Sequence, residues 1–246
     1  MYEMKVGSGF SRTCQMWGSV LTSPALRNKI RRGSFDRRYN PARRSAYVDT
    51  PSLSIVVNAH DWSTRNTAVP ATLHFNHREL VNRQLSHELL VVAWAVPPDR
   101  NHIAEALTGT SSRLPDWVRL ILIDPAYRTP LFGAPNSASE DCIARNAGLR
   151  RAQGELVLIT RLGILFGCEV LDAIASDALA NDVVYTASRV DVPFSDEGCW
   201  PDWKTLDSAR CHAAGRTQSS PADCLVLRRR QCEAVRGFNE VYRGGR

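Results

Sequence analysis

From Leu53 onward the chain repeats one pattern: a short, nearly unbroken apolar run, a stretch with helical spacing, then another apolar run. The runs are Leu53-Ser-Ile-Val-Val57, Glu88-Leu-Leu-Val-Val-Ala-Trp94, Val118-Arg-Leu-Ile-Leu-Ile123 and Leu156-Val-Leu-Ile-Thr160. Strands covered on one face alternate polar and apolar residues; unbroken runs of this length belong to strands buried on both faces. Val183-Val-Tyr-Thr-Ala187 and Cys224-Leu-Val-Leu227 read as two further strands. Between them, Ser137 and Glu140 stand at capping-box spacing. Ile143, Ala144, Ala147, Gly148 and Ala152 then share one side of a helix, with Gly154 as its expected stop. Leu171, Ile174, Ala175 and Ala178 mark a second helix, and residues 103–107 a short one. Residues 58–80, interrupted by Pro70, show no clean helix. The alternation predicts an α/β, Rossmann-like fold: a mostly parallel sheet with helices on both faces. Ligands of such sheets bind beyond the carboxyl ends of the strands, which directs attention to the residues after Val57, Val92 and Thr160.

Charge divides the chain in two. Residues 1–50 hold 10 Lys/Arg against 3 Asp/Glu, a net of +7, while the remainder holds 21 against 22. The basic stretch has poor apolar periodicity and reads as a disordered extension, with residues 51–246 as the folded domain. A solvated tail is the plain reading of that stretch. An anionic partner (a membrane surface or RNA) and an organelle-targeting peptide are the alternatives. The near-neutral domain argues against nucleic acid as its ligand. No apolar run reaches the length of a transmembrane helix. The seven cysteines are odd in number and include no CxxC, which fits reduced thiols in an intracellular, cytoplasmic chain better than a disulfide framework. Cys199, Cys211, His212, Cys224 and Cys232 match no common zinc spacing.

Several catalytic signatures are absent. The chain has no GxGxxG, no GxxxxGK[ST], no GxSxG and no HExxH, which disfavours a dinucleotide enzyme, a P-loop NTPase, an α/β-hydrolase and a zincin. The six histidines show no ligand spacing.

Four segments, in order, do carry a likeness. They are Glu88-Leu-Leu-Val-Val-Ala-Trp-Ala-Val-Pro-Pro-Asp-Arg100, Ala144-Arg-Asn-Ala-Gly-Leu-Arg-Arg-Ala-Gln-Gly-Glu155, Leu156-Val-Leu-Ile-Thr-Arg-Leu-Gly-Ile-Leu-Phe166, and Asp223-Cys-Leu-Val-Leu227 with Arg236-Gly-Phe-Asn-Glu240. Together, over about residues 52–240, they resemble the family 2-like glycosyltransferases, including the "RNxGxxxAxGE" helix and the acceptor-side "GF(D/N)E" segment. The resemblance implies a GT-A fold and transfer of a sugar from a nucleoside-diphosphate donor to an acceptor the sequence does not identify. In that chemistry negative charge builds on the departing phosphate. A divalent cation such as Mn²⁺ or Mg²⁺, held by an Asp-x-Asp turn, neutralises it, and a carboxylate deprotonates the acceptor hydroxyl.

Carried onto this chain, the resemblance implies Asp223 and Glu240 as acceptor-side or base carboxylates, and Arg145 and Asn146 at the nucleotide cleft. Asp61, after the first strand, is a further candidate nucleotide contact. The metal turn departs from the pattern. It reads Thr160-Arg-Leu-Gly163, and no carboxylate lies between Glu155 and Glu169. The acidic residue expected at the second strand is Ala93. Arg161 then stands either as a guanidinium in place of the metal or as a loop residue in a site that has lost its chemistry. Two functions follow: a glycosyltransferase-like enzyme, or an inactive relative that binds a nucleotide, glycan or protein. Asp124, before Pro125, is expected to serve a turn. The chain ends six residues after Glu240, where the family usually continues, which suggests a truncated or minimal domain.

Overall fold

A computed structural model describes residues 13–18, 51–59, 68–95, 100–109, 113–127, 137–177, 179–193 and 224–239. The strands are β1 (Thr13–Gly18), β2 (Leu53–Asn58), β3 (His87–Trp94), β4 (Val118–Ile123), β5 (Leu156–Arg161), β6 (Ile164–Phe166), β7 (Tyr185–Thr186), β8 (Ser188–Pro193) and β9 (Leu225–Arg228). The helices are α1 (Ala68–Asn82), α2 (Arg100–Thr108), α3 (Ser137–Leu149), α4 (Cys168–Ala175) and α5 (Arg229–Ala234).

The main sheet has the order β4-β3-β2-β5-β9-β7. Its first four strands are mutually parallel, and β9 runs antiparallel to both β5 and β7. Helices lie on both faces, as the apolar runs require, and the fold is Rossmann-like α/β. One face carries Leu53, Ile55 and Val57 of β2 into a core with Val69, Leu73 and Leu80 of α1 and with Ile103, Leu107, Leu171 and Ile174 of α2 and α4. The other face turns Val56 and Val92 toward α3. Each large apolar side chain buried in this way contributes roughly 1.5–3 kcal/mol.

Small residues bring α3 close to the sheet. Ala144 is fully buried, and a Cβ on Gly148 would run into Val56 Cγ1. The helix ends at Leu149, short of the expected stop at Gly154. Gly154 instead brings the backbone against β2, where its N–H donates to Ser54 Oγ at 2.7 Å. A buried polar knot forms there. Glu88 Oε1 accepts from Ser54 Oγ (2.6 Å) and from the Gln153 N–H (2.7 Å), and its Oε2 accepts from Arg119 Nη1 (2.7 Å).

Two elements depart from the sequence reading. Helix α1 takes Pro70 into its first turn, where the missing N–H has no intrahelical partner to lose. Its buried side carries Thr72, Asn76 and Glu79, which hides the apolar period. Asn76 acts like a strand partner: Nδ2 donates to Ile164 O (2.7 Å) and Oδ1 accepts from the Phe166 N–H (3.0 Å). In the stretch read as an extension, β1 pairs parallel with β6 and antiparallel with β8 in a separate three-stranded sheet. The strand expected over 183–187 is confined to Tyr185–Thr186. The helix expected over 171–178 is Cys168–Ala175. Asp124 serves a turn as expected, its Oδ1 accepting from the Ala126 N–H at 2.8 Å. Among the described residues no helix is long and apolar enough to cross a membrane.

Candidate functional site

From β2 the chain steps outward through β3 to β4, then returns to the other side of β2 for β5. The order therefore reverses between β2 and β5, and a doubly wound sheet opens its ligand crevice at such a switch point. The last rung of that ladder pairs Asn58 with Arg161, and the rung before it pairs Val57 with Thr160. Paired residues of neighbouring parallel strands point to the same face, and successive residues alternate. Asn58 and Arg161 thus lie on the α3 side, and Thr160 on the opposite side.

Asn58 fixes the start of a polar chain. Its Nδ2 donates to Asp141 Oδ1 at 2.7 Å. Asp141 Oδ2 in turn stands 2.8 Å from Arg145 Nη2, one helical turn further along α3. The Arg145 side chain is only 2% exposed and Asp141 is 31% exposed. Trp94 Nε1, from the end of β3, donates to Glu140 O at 3.3 Å. These contacts put the amino end of α3 at the carboxyl edge of the sheet, where its N–H dipoles favour anions.

Two buried polar atoms on these rungs, Asn58 Oδ1 and Thr160 Oγ1, have no hydrogen-bond partner among the described residues. Such atoms are uncommon in folded proteins and mark places where water or a ligand completes the bonding. Thr160, 1% exposed, lines a cavity of about 20 Å³ shared with Asn76, His77 and Trp117. That volume holds about one water molecule. Arg161 itself is exposed. After it, Leu162 and Gly163 turn the chain into β6, with Gly163 at φ 76°, a left-handed conformation that glycine adopts without strain.

The expected site residues are placed as follows. Arg161 ends β5 at this carboxyl edge and Arg145 is paired with Asp141 there, whereas Asn146 sits one residue further along α3 against Phe238. Asp61, Asp223 and Glu240 lie outside the described residues. Arg145 reaches the edge through Asp141, and its Cζ sits 5.5 Å from the centre of the Phe238 ring. Asn146, 2% exposed, spends both amide atoms on one residue: Nδ2 donates to Phe238 O (2.9 Å) and Oδ1 accepts from the Phe238 N–H (2.8 Å). The chain arrives there because Arg236 (φ 58°) and Gly237 (φ 80°) are both left-handed after α5. A Cβ on Gly237 would run into Asn146 Oδ1. Two of the sequence segments read as family motifs, 92 residues apart, are thereby clasped together.

Asn58 and Asp141 were missed by the sequence reading. The available signal was the i,i+4 spacing of Asp141 and Arg145 on the best helix; nothing in the sequence tied Asn58 to it. The described residues here do not suit a divalent cation. Such an ion needs oxygen ligands of net negative charge. The turn after β5 offers an arginine and a leucine, and Asp141 is neutralised by Arg145. No group of three His, Cys, Asp or Glu among the described residues is placed to hold a metal. Cys232 is a buried thiol whose pKa desolvation pushes up to about 11.

No family model matches the chain, and no curated protein matches it. Several solved structures overlap it in part, two of them as follows. One is a mannosyltransferase from Pyrobaculum calidifontis in complex with GDP-mannose and Mn²⁺ (16% identity, TM-score 0.43, 78% of this chain covered). The other is a 4-diphosphocytidyl-2C-methyl-D-erythritol synthase from Anaerococcus prevotii (14% identity, TM-score 0.40, 76% of this chain and 75% of that one). This chain spans about half (49%) of the mannosyltransferase's length. Neither overlap assigns a family to the chain.

Proposed function

We propose that the chain is a glycosyltransferase-like protein that binds the nucleoside diphosphate of a nucleotide sugar at the carboxyl edge of β2 and β5. The observation that carries this reading is the last rung of the switch point, where the exposed Arg161 stands beside Asn58 in place of an acidic turn. A guanidinium pairs with phosphate oxygens through a fixed fork of donors. The amino end of α3 on the same side adds its dipole. In transfer, these groups would take the charge that builds on the departing diphosphate. Glu240 and Asp223 are the proposed acceptor-side carboxylates.

The second reading is a non-catalytic relative that binds a nucleotide, glycan or protein partner. It is favoured by Asp141, the carboxylate bonded to Asn58 on the last rung, being already paired with Arg145.

Calorimetric titration of the full chain with UDP and GDP, with and without Mn²⁺, tests the proposal. Binding that is the same in both buffers supports the arginine-based site. Binding that requires Mn²⁺ moves the phosphate chemistry to carboxylates elsewhere. No binding of either nucleotide to a folded chain overturns the proposal and leaves the glycan- or protein-binding relative.

A further inference from the structure

We infer that Asp141 is the group that recognises the ribose, by accepting a hydrogen bond from a ribose hydroxyl of the nucleotide; this rests on the nucleotide-binding reading above. The case starts from charge. A carboxylate that must hold a metal keeps its negative charge available, whereas Asp141 is paired with Arg145 at 2.8 Å. The pair is close to neutral as a unit, so it attracts a cation weakly. It remains a good acceptor for a neutral O–H. Asn58 Nδ2 takes one position on Oδ1, Arg145 Nη2 stands 2.8 Å from Oδ2 as an ion pair, and a carboxylate has about four lone-pair sites. With 31% of the side chain exposed, the carboxylate keeps acceptor capacity on its solvent-facing side.

Orientation comes next. Asn58 donates from the end of β2, and the Arg145 guanidinium forms an ion pair from one turn along α3. The carboxylate is therefore held between a strand and a helix, and a hydroxyl meets it with little further ordering cost. Position completes the argument. Asn58 and Arg161 share the last rung, and neighbouring strands lie about 4.8 Å apart. The hydroxyl acceptor and the phosphate-binding cation thus stand side by side on one face of the sheet. That is the order in which a nucleoside diphosphate presents its sugar and its phosphates. The buried, unpartnered Asn58 Oδ1 shows that the bonding at this rung is incomplete within the described chain.

The test deletes the interaction from each side. The full chain is titrated with UDP and GDP and with their 2′-deoxy and 3′-deoxy counterparts, for the wild type and for Asp141→Asn, with a thermal melt to establish folding. The expected result is wild-type binding about tenfold weaker for at least one deoxy ligand. In Asp141→Asn the ribonucleotide should weaken to the deoxy level, and the discrimination should vanish. A purely structural role would weaken all ligands together and keep the ratio. Wild-type binding indifferent to both hydroxyls, or discrimination that survives in Asp141→Asn, overturns the inference while leaving the nucleotide site in place. Because the deoxy ligands act on the wild type, a misfolded variant does not remove the test. No binding of any nucleotide to the folded wild type sinks the nucleotide reading and this inference with it.

Discussion

Asn58 and Arg161 are Cα partners on the last rung of the β2–β5 ladder, so both side chains leave the sheet on the α3 side at the point where the strand order reverses. One is tied into α3 through Asp141 and the other is exposed. A neutral hydrogen-bonding corner and a cation therefore share one edge. The predictions below probe the supports of that edge and then the edge itself.

The clasp between Asn146 and Phe238 predicts non-additive stability. Asn146→Ala removes two hydrogen bonds and should cost about 1–3 kcal/mol. Gly237→Ala meets both a φ of 80° and the Asn146 carbonyl oxygen, and should cost more than about 1 kcal/mol. With Asn146 already shortened, the steric part of the Gly237→Ala penalty disappears. Urea unfolding of the two single variants and the double should show a combined loss smaller than the sum. Strict additivity would mean that the two residues do not press on each other.

The knot around Glu88 joins β2, β3, β4 and the turn before β5 through hydrogen bonds from Ser54, Arg119, Gln153 and Gly154. Glu88→Gln keeps the shape but puts an N–H₂ group where donors already point. A loss of about 1–3 kcal/mol is expected, measured as a lower urea midpoint with an unchanged slope. An unchanged midpoint would show that the knot is not needed.

Acid should destabilise the fold through His77 and His87. His87 Nδ1 lies 2.9 Å from Leu85 O, and its Nε2 lies 2.9 Å from His77 Nδ1. The first contact requires a proton on His87 Nδ1. The neutral chain is then His77 N–H to His87 to carbonyl, with His77 stacked on Trp117 at 4.2 Å. Desolvation lowers both pKa values, and for His77 the charges of His87 and His74 add to the effect. With folded values below 6.5, the unfolded chain takes up protons that the folded chain refuses. The stabilisation is therefore complete above about pH 6.5 and is lost as the pH falls toward the folded values. Urea midpoints should drop between pH 7.5 and pH 5.5, and less so in His77→Gln. A wild type and a variant with the same pH dependence would contradict the assignment.

The sheet was legible because strands buried on both faces leave unbroken apolar runs, and β2 to β5 each did so. Helix α3 showed its small residues on one side, for the reason the structure gives at Gly148. Helix α1 was not legible. Its buried side mixes Thr72, Asn76 and Glu79 with Val69, Leu73 and Leu80, and the partners that satisfy Asn76 lie 88 and 90 residues away. Strand β1 was hidden in a basic stretch because its pairing is with β6 and β8, far along the chain. Arg145, Asn146 and Arg161 were named as candidates from the sequence, but what they touch depends on distances a sequence does not carry. Asn146 bonds a backbone 92 residues on, and Arg145 is paired with Asp141.

The central claim is that Arg161 receives the phosphates. Titration of UDP and GDP into the wild type and Arg161→Ala, in metal-free buffer and at matched ionic strength, tests it most directly. Removal of a charge-assisted contact to phosphate should weaken binding by about tenfold or more, in a variant that a thermal melt shows to be folded. Equal affinity of the two proteins would contradict the account and place the diphosphate elsewhere on the chain.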